Sequence, residues 1–380
     1  AELVIPAIQG IRQARQSGEL GATARELQEV APSIATANEA VDATGVPLFQ
    51  AQKTLVPSQL EKQSFIASLP AGTLKASKEL KAQNAAAGKA VDDFLGLIAP
   101  PESVVTGAET FRTAAKTAVK AKVRARKEAS SPIYKQAFRR QRKGQLEPIN
   151  IDALKLKINK MIQQKDPKGE VAKNLQKAVD KLENAGGDLQ KLHFAKTEID
   201  QAINSFGADA VGNTTKRFMT DVKNDLTDQL VKQSPSYRAA RDEFIRTSPE
   251  VTKIQESIIG KIADIKDVDL KSISSKIFNP AETNPAVVAQ AKTVITDINP
   301  DAWNQLLRVE LERRLGSIKP TEGETLQNIP GQLYRAIFGN EKQSQVLYRA
   351  LNAEQSKNLK YIQTALGRAR IGRPGGSQTA

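Results

Sequence analysis

Apolar residues return at helical spacing along most of this 380-residue chain. Within each segment they recur every three or four positions, which places them on one face of an α-helix. The clearest apolar stripes are Val171, Leu175, Val179, Leu182; Leu192, Ala195, Ile199, Ile203, Phe206; Phe218, Val222, Leu226, Leu230; Trp303, Leu307, Leu311, Leu315; and Leu347, Leu351, Leu359, Ile362, Leu366. Alternating strand patterns are scarce, so the sequence predicts an all-α chain.

Helix start signals precede many of these stripes. Ser/Thr-x-x-Glu capping boxes, in which side chains satisfy the first backbone N–H groups, are Thr23 with Glu26, Ser58 with Glu61, and Thr106 with Glu109. Elsewhere a cap residue precedes Pro, whose missing N–H is tolerated at the first helical position. These pairs are Ser131-Pro132, Ser234-Pro235, Ser248-Pro249, Asn284-Pro285 and Asn299-Pro300. We therefore expect a helix to begin at each signal.

Short breaks rich in Gly, Pro or Asn separate the predicted helices. They fall at residues 69–72, 99–101, 144–148, 166–169, 186–187, 279–285 and 318–330. Short turns favour antiparallel helical hairpins and bundles, and no heptad pattern persists long enough to predict a coiled coil. We expect an elongated molecule whose copies assemble side by side. The predicted regions are an N-terminal helical region 1–105, a basic helical segment 106–143, a central helical bundle 144–250 and a C-terminal helical region with a basic tail 251–380.

The composition argues against an enzyme. There is no Cys and one His, which excludes disulfides and thiolate sites and argues against a Ser-His-Asp triad. Phosphate-binding loops, nucleophile elbows and zinc-protease motifs are absent. The adjacent acids Asp92 and Asp93 would point about 100° apart on a helix and make a poor catalytic pair. We expect no catalytic residue, no metal site and no cofactor, and we interpret His193 and Trp303 as packing residues.

No apolar run reaches the roughly 18 residues of a transmembrane helix. The first residues also lack the basic and apolar regions of a secretory signal peptide. We therefore expect neither a membrane-spanning helix nor a signal peptide in this sequence.

Positive charge is concentrated in one segment. The chain has 56 basic and 42 acidic residues, a net charge of +14. Residues 111–143 hold 12 basic residues and a single acid, Glu128, whereas residues 1–110 carry a net charge of −3. Any electrostatic partner should therefore meet the 111–143 segment, with the small C-terminal cluster of Arg368, Arg370 and Arg373 second.

The basic segment has helical order. Arg112, Lys116, Lys120 and Arg124 recur every four positions, beside an apolar ridge that begins at Phe111 and continues through Ala115, Val119 and Val123. Residues four apart share a helix face, so we expect the ridge to pack and the cations to form an exposed ladder. Lys135 adds to the charge beyond the expected break at Ser131-Pro132. The candidate contact residues are Arg112, Lys116, Lys120, Arg124, Arg126, Lys127, Arg139, Arg140, Arg142 and Lys143.

Several counterparts suit this charge. Nucleic-acid phosphates would bind by counterion release, anionic lipid head groups would attract a basic amphipathic helix, and an acidic patch on a neighbouring subunit would neutralise it. A solvated face without a specific partner also stays open. Only Tyr134 and Phe138 lie nearby as aromatic residues, so base stacking has weak support. No zinc finger, basic zipper or helix-turn-helix signature predicts sequence-specific DNA recognition.

Four segments between Ala82 and Glu250 follow a familiar order. They are Val91-Asp92-Asp93-Phe94-Leu95, an Ala/Arg-rich helix ending in Ser131-Pro132-Ile133-Tyr134-Lys135-Gln136-Ala137-Phe138, Leu192-His193-Phe194-Ala195-Lys196-Thr197-Glu198-Ile199-Asp200, and Pro235-Ser236-Tyr237-Arg238-Ala239-Ala240-Arg241-Asp242-Glu243-Phe244. This order resembles helical internal virion proteins, also called ejection proteins, of short-tailed bacteriophages. Phage-encoded polyvalent proteins share similar segments. The resemblance covers a little under half of the chain, and no active-site residue carries over.

The resemblance implies a structural role. Ejection proteins are packaged in the capsid, leave before the DNA and reassemble as a helical tube through the host envelope. We therefore expect a homo-oligomeric ring or tube, working with other ejection proteins and passing double-stranded DNA through its lumen without sequence specificity. The resemblance also implies peripheral contact with the host membrane, and residence in the virion and then in the host envelope and periplasm.

Two other classes of function stay open. One is a nucleic-acid-binding module of a larger virion protein. The other is a muralytic enzyme, although no glutamate among the acids stands out as its catalyst.

Overall fold

The computed structural model describes residues 21–68, 70–165, 169–207, 209–279, 281, 283–316, 318 and 328–371. These residues form 17 α-helices and one 3₁₀ helix, with no strand among them, so the prediction of an all-α fold is confirmed. The helices are α1 Gly21–Thr44, α2 Gln50–Thr54, α3 Pro57–Ser68, α4 Pro70–Ile98, α5 Val104–Arg142, α6 Asp152–Gln163, α7 Glu170–Ala185, α8 Leu189–Ser205, α9 Ala210–Gln233, α10 Pro235–Glu256, α11 Ile258–Ala263, the 3₁₀ helix Asp267–Ser272, α12 Ile273–Phe278, α13 Pro285–Thr296, α14 Pro300–Leu315, α15 Ile329–Phe338, α16 Glu341–Ala350 and α17 Ala353–Ala369.

Packing divides the chain into two compact units. Unit 1 consists of the described residues within Ala1–Ala118 and Ile258–Ala380, and unit 2 of those within Val119–Ser257. Helix α5 contributes its first part to unit 1 and its second part to unit 2. The four regions drawn from the sequence follow charge and turn signals, and they stay a prediction.

Unit 1 joins early and late parts of the chain. Helix α17 packs on α1, α4 and α15, and α14 packs on α4, α12, α13 and α15. The buried side chain of Gln52 donates hydrogen bonds to the carbonyl oxygens of Ala369, at 3.1 Å, and Ile371, at 2.9 Å. Trp303 is fully buried, as expected of a core anchor, and its indole N–H donates to the Ala350 carbonyl at 2.8 Å. These hydrogen bonds therefore join residues that are far apart in the sequence within the core of unit 1.

Unit 2 is built from consecutive helices. Helices α6 to α10 each contact the next along the chain, and α9 also contacts α6 and α7. The predicted stripes supply the core, with Leu175 and Leu182 of α7, Leu192 of α8, and Leu226 and Leu230 of α9 all at 0% exposure. Helical spacing alone therefore identified most of this apolar face.

The glycine pair between α7 and α8 confirms one predicted break. Gly186 has a φ of 57°, in the left-handed region that favours glycine. A Cβ on Gly187 would lie 2.6 Å from Cβ of Pro148, because the two backbones approach closely. The Gly187 carbonyl accepts hydrogen bonds from the Ile149 N–H and the Gln141 side-chain amide, both at 2.9 Å.

Three of the five Ser-Pro and Asn-Pro starts are confirmed by cap hydrogen bonds. Side chains of Ser234, Asn284 and Asn299 accept from the first backbone N–H groups of α10, α13 and α14. The breaks after Ile98, near Gly144 and between Phe278 and Pro285 are also present.

Pro132 and Pro249 do not begin helices, because α5 and α10 run through them. A proline inside a helix removes one backbone hydrogen bond, but residues that follow each proline in the helix are buried by tertiary packing. Ala137 and Phe138 are buried after Pro132, and Val251 and Ile254 after Pro249.

The capping boxes are wrong. Thr23 and Ser58 lie inside α1 and α3, whose described residues begin at Gly21 and Pro57. At α5, which begins at Val104, the Ser103 hydroxyl rather than that of Thr106 caps the helix by accepting the N–H of Thr106, the third helical residue, at 3.1 Å. Residues 70–72 are helical rather than a break, while residues 166–168, 319–327 and 372–380 lie outside the described residues.

Candidate functional site

The basic segment lies on α5 and just beyond its end. Eight of the ten candidate side chains are exposed: Lys116, Lys120, Arg124, Lys127, Arg139, Arg140, Arg142 and Lys143. Arg139, Arg140 and Arg142 lie in the last turn of α5, where the helix dipole favours cations. Arg124 forms an exposed pair with Glu128, Nε to Oε1 at 2.7 Å. The exposed ladder is therefore present from Lys116 onward.

Arg112 is an exception. Its side chain is buried, and its Nη1 donates to the Ile265 carbonyl at 3.1 Å and to the Asp267 carboxylate. This hydrogen bond and the positive charge of Arg112 lower the pKa of the Asp267 carboxyl. The expectation that Arg112 belongs to the exposed ladder is wrong, because this guanidinium holds α5 to the residues around the 3₁₀ helix of unit 1.

An aromatic cluster forms where three segments of the ejection-protein resemblance meet in unit 2, namely residues 131–138 of α5, 192–200 of α8 and 235–244 of α10. The ring centroid of Tyr134 lies 4.6 Å from that of His193 and 5.2 Å from that of Tyr237. Nδ1 of His193 lies 3.0 Å from the Tyr237 hydroxyl, and Phe138 closes the cluster. Three of the four resemblance segments therefore contribute rings to one cluster, whereas residues 91–95 lie in unit 1.

Burial sets the protonation of this cluster. It lowers the pKa of His193 to about 4, with the nearby Lys196 lowering it further. Burial also raises the pKa of the Tyr237 and Tyr134 hydroxyls. All three rings are thus neutral at pH 7, and His193 packs as expected of a lone histidine on an apolar helix face.

A cleft of about 690 Å³ opens beside the aromatic cluster in unit 2, between residues of α5, α8, α9 and α10. We call it the cationic cleft and define it by its charged lining and its two exposed rings: Arg126, Lys127, Lys135, Lys196, Lys223, Arg241, Asp200, Phe194 and Phe244. Asp200 is the single acid among its described lining residues. Arg126 is half-buried, with its Cζ 4.5 Å from the centroid of the Phe244 ring.

The positive charge of the cationic cleft is only partly compensated. Asp200 is paired with Lys223, Oδ1 to Nζ at 2.8 Å. The side chains of Lys196 and Arg241 form no salt bridge or hydrogen bond with another residue in the described part of the chain. Burial lowers the pKa of Lys196, Asp200 opposes this, and Arg241 and Lys223 lower the pKa further. An anion bound here would offset both the burial of Lys196 and its repulsion by Arg241 and Lys223.

Sequence reasoning found only part of this site. Arg126 and Lys127 are among the predicted contact residues and Lys135 lies in the predicted basic segment, but Lys196, Lys223, Arg241 and the two phenylalanines are not predicted. Lys196 and Asp200 are four apart on α8, and Arg241 and Phe244 are three apart on α10, so each pair shares a helix face, but this spacing does not predict that the two faces meet. Both pairs lie within the segments that carry the resemblance.

Among the described residues, no group of His, Asp and Glu side chains is arranged to hold a metal ion. Each described helix falls short of the length or the apolar character that crossing a bilayer requires.

No family model, curated protein or solved structure matches this chain.

Proposed function

We propose that this chain is a structural component of a bacteriophage DNA-ejection assembly. In this role it is an internal virion protein that oligomerises into a ring or tube, together with other ejection proteins, and lets double-stranded DNA pass without reading its sequence. It resides in the capsid and, after ejection, in the host envelope and periplasm. It acts by assembly rather than by catalysis.

The observation that carries this proposal is the convergence of three of the four resemblance segments in unit 2. Tyr134, His193 and Tyr237 come from three segments far apart in the chain, and their rings meet within 4.6–5.7 Å of one another. The fourth segment, residues 91–95, lies in unit 1 and outside this cluster. The meeting of the other three segments supports reading them as parts of one helical module.

The exposed cations on α5 also fit this role. A lumen that passes DNA, a surface that meets lipid head groups and an acidic neighbouring subunit all require accessible positive charge. Lys116, Lys120 and Lys127 supply it as exposed residues of one helix.

Electron microscopy and light scattering of the full chain test the proposal. The protein is imaged alone, with liposomes containing an anionic lipid, and with neutral liposomes as the control. We expect symmetric rings or tubes, whose mass exceeds that of the 41.3 kDa chain by an integral factor. A monomer at high protein concentration in all three conditions contradicts the proposal.

A second candidate is a nucleic-acid-binding module, and the exposure of the α5 cations favours it. It predicts binding to duplex DNA with an affinity that falls steeply as salt increases. Replacing Lys116, Lys120, Arg139 and Arg140 by Gln should then weaken binding and lower the salt dependence. Arg112 is left intact because it is part of the unit 1 core. Unchanged affinity in this variant argues against the second candidate.

A further inference from the structure

The charge of the cationic cleft indicates the sign of its ligand. Six lysine and arginine side chains line it against one carboxylate, and that carboxylate already pairs with Lys223. Lys196 is half-buried beside Arg241, so the two charges repel each other in a partly desolvated place. A ligand with at least two negative charges would offset this repulsion.

The exposed aromatic rings of the cleft indicate that its ligand also carries a flat group that can stack. Phe194 is 53% exposed although it lies on the lining of the cleft, and Phe244 is 37% exposed. Arg126 lies over the Phe244 ring, with its Cζ 4.5 Å from the ring centroid. Exposed rings and guanidinium planes beside cations are the surfaces on which unpaired bases stack while their phosphates are neutralised.

The size and lining of the cleft favour an unpaired nucleic-acid strand over duplex DNA or a lipid surface as its ligand. At about 690 Å³ the cleft lies within the roughly 300–1,000 Å³ typical of pockets that enclose a ligand. Duplex DNA keeps its bases stacked inside a cylinder, so they cannot reach Phe194 on the lining of a cleft. A lipid surface offers phosphates but no ring that stacks.

We propose that the cationic cleft binds a short stretch of unpaired nucleic acid, with a base stacked on Phe194 and phosphates bound by Lys196 and Arg241. Binding is independent of base sequence, because stacking and phosphate contacts do not distinguish the bases. This inference does not rest on the proposed assembly, since it requires only the folded unit 2.

Fluorescence anisotropy with a labelled eight-nucleotide oligothymidylate tests the proposal on the full chain. One variant combines Lys196→Gln and Arg241→Gln. Its matched control combines Lys191→Gln and Lys253→Gln, which remove the same charge from exposed positions of the same helices outside the cleft. We expect about a tenfold loss of affinity or more in the cleft variant, a change below about threefold in the control, and a smaller salt slope in the cleft variant alone.

Phe194→Leu tests the stacking contact separately. Because Phe194 is 53% exposed, this change leaves the core intact, and far-UV circular dichroism and the melting temperature verify that each variant is folded. We expect a loss of affinity of at least about fivefold for the oligothymidylate. The same variant should bind a duplex of equal length as well as the unchanged protein does.

Several outcomes overturn the proposal. Equal losses in the two charge variants mean that binding follows overall charge rather than the cleft. An unchanged affinity of Phe194→Leu means that no base stacks there. If the cleft variant loses binding to phosphatidylglycerol vesicles but retains the oligonucleotide, the ligand is a lipid surface. The formation of rings or tubes is measured separately, so either proposal can fail alone.

Discussion

His193 and Tyr237 join two helices through one polar contact, in which Nδ1 of the imidazole lies 3.0 Å from the phenol oxygen. His193 lies on α8 and Tyr237 at the start of α10, where Tyr237 is fully buried. A buried hydroxyl needs a hydrogen-bond partner, and the neutral imidazole supplies one. The contact therefore depends on the protonation state of the single histidine in the chain.

The stability of unit 2 should fall in mild acid. Burial lowers the pKa of His193 to about 4, whereas an unfolded chain takes up this proton near the ordinary pKa of 6.5. The contribution is fully present above pH 6.5 and is lost as the pH falls from 6.5 towards 4, because only the unfolded chain binds the proton there. At pH 4.5 we expect a loss of about 2–3 kcal/mol from this group. Amide hydrogen exchange in α8 and α10 at pH 7.5 and 4.5 measures it.

His193→Asn is the control for this pH dependence. Asn keeps a polar atom near the Tyr237 hydroxyl but does not titrate in this range. Its stability should change less than that of the unchanged chain between the two pH values. An equal loss in both proteins would assign the acid sensitivity to other groups.

Arg112→Gln should destabilise unit 1 by about 1–3 kcal/mol, because it removes hydrogen bonds from a buried guanidinium. Lys120→Gln changes an exposed residue of the same helix and should alter stability by less than about 0.5 kcal/mol. Urea unfolding measures both variants. If Arg112→Gln is as stable as the unchanged chain, the contacts with Ile265 and Asp267 contribute little to the stability of unit 1.

The free energy of unfolding of unit 1 should depend strongly on the negative charge of Glu310. It is 1% exposed, and its carboxylate accepts hydrogen bonds from Arg313 and from the buried Arg314. Burial alone would raise the pKa of Glu310, but these two arginines lower it overall. Removing the carboxylate charge with Glu310→Gln should cost about 3 kcal/mol or more. Urea unfolding followed by circular dichroism measures the loss.

Arg313→Gln is the matched control, because this arginine shares the same carboxylate but its side chain is 55% exposed. Its loss should stay below about 1 kcal/mol. Similar losses in the Glu310 and Arg313 variants would mean that burial does not govern the strength of these pairs.

Trp303 should report on unit 1 alone. It is the single tryptophan of the chain, it is fully buried, and it packs against Phe111 and Phe278 with centroid distances of 6.1 and 5.6 Å. Its emission should be blue-shifted in the folded protein and shift to the red when unit 1 unfolds.

Trp303→Phe should lower the free energy of unfolding by about 1–3 kcal/mol, because it leaves the Ala350 carbonyl without its donor. Val268→Ala, at an 87% exposed position of unit 1, serves as the neutral control.

Much of the fold could be predicted because helical spacing depends on local sequence. The stripe through Leu175, Val179 and Leu182 is buried in α7 as expected. The errors arose where packing overrides local preference, as at Pro132, which lies inside a 39-residue helix. The prediction that Thr106 caps α5 is also wrong. Ser103 carries a hydroxyl one turn earlier, and it is this hydroxyl that accepts the cap hydrogen bond.

The cationic cleft could be predicted only in part. Arg126 and Lys127 stood out because they belong to a dense run of like charge in the sequence. Lys196 and Arg241 are single cations on mixed helices, and only tertiary packing brings them to the same cleft as Lys127. Because these cations are far apart in the sequence, no local pattern predicts that they line the same cleft.

The order of the two units along the chain has a consequence for synthesis. Unit 2 is one uninterrupted stretch, whereas unit 1 is completed only by residues after Ser257. Gln52 finds its acceptors on Ala369 and Ile371, which leave the ribosome more than 300 residues later. A nascent chain can therefore complete unit 2 while the first helices of unit 1 still lack their partners, and until then the apolar faces of those helices are open to premature association.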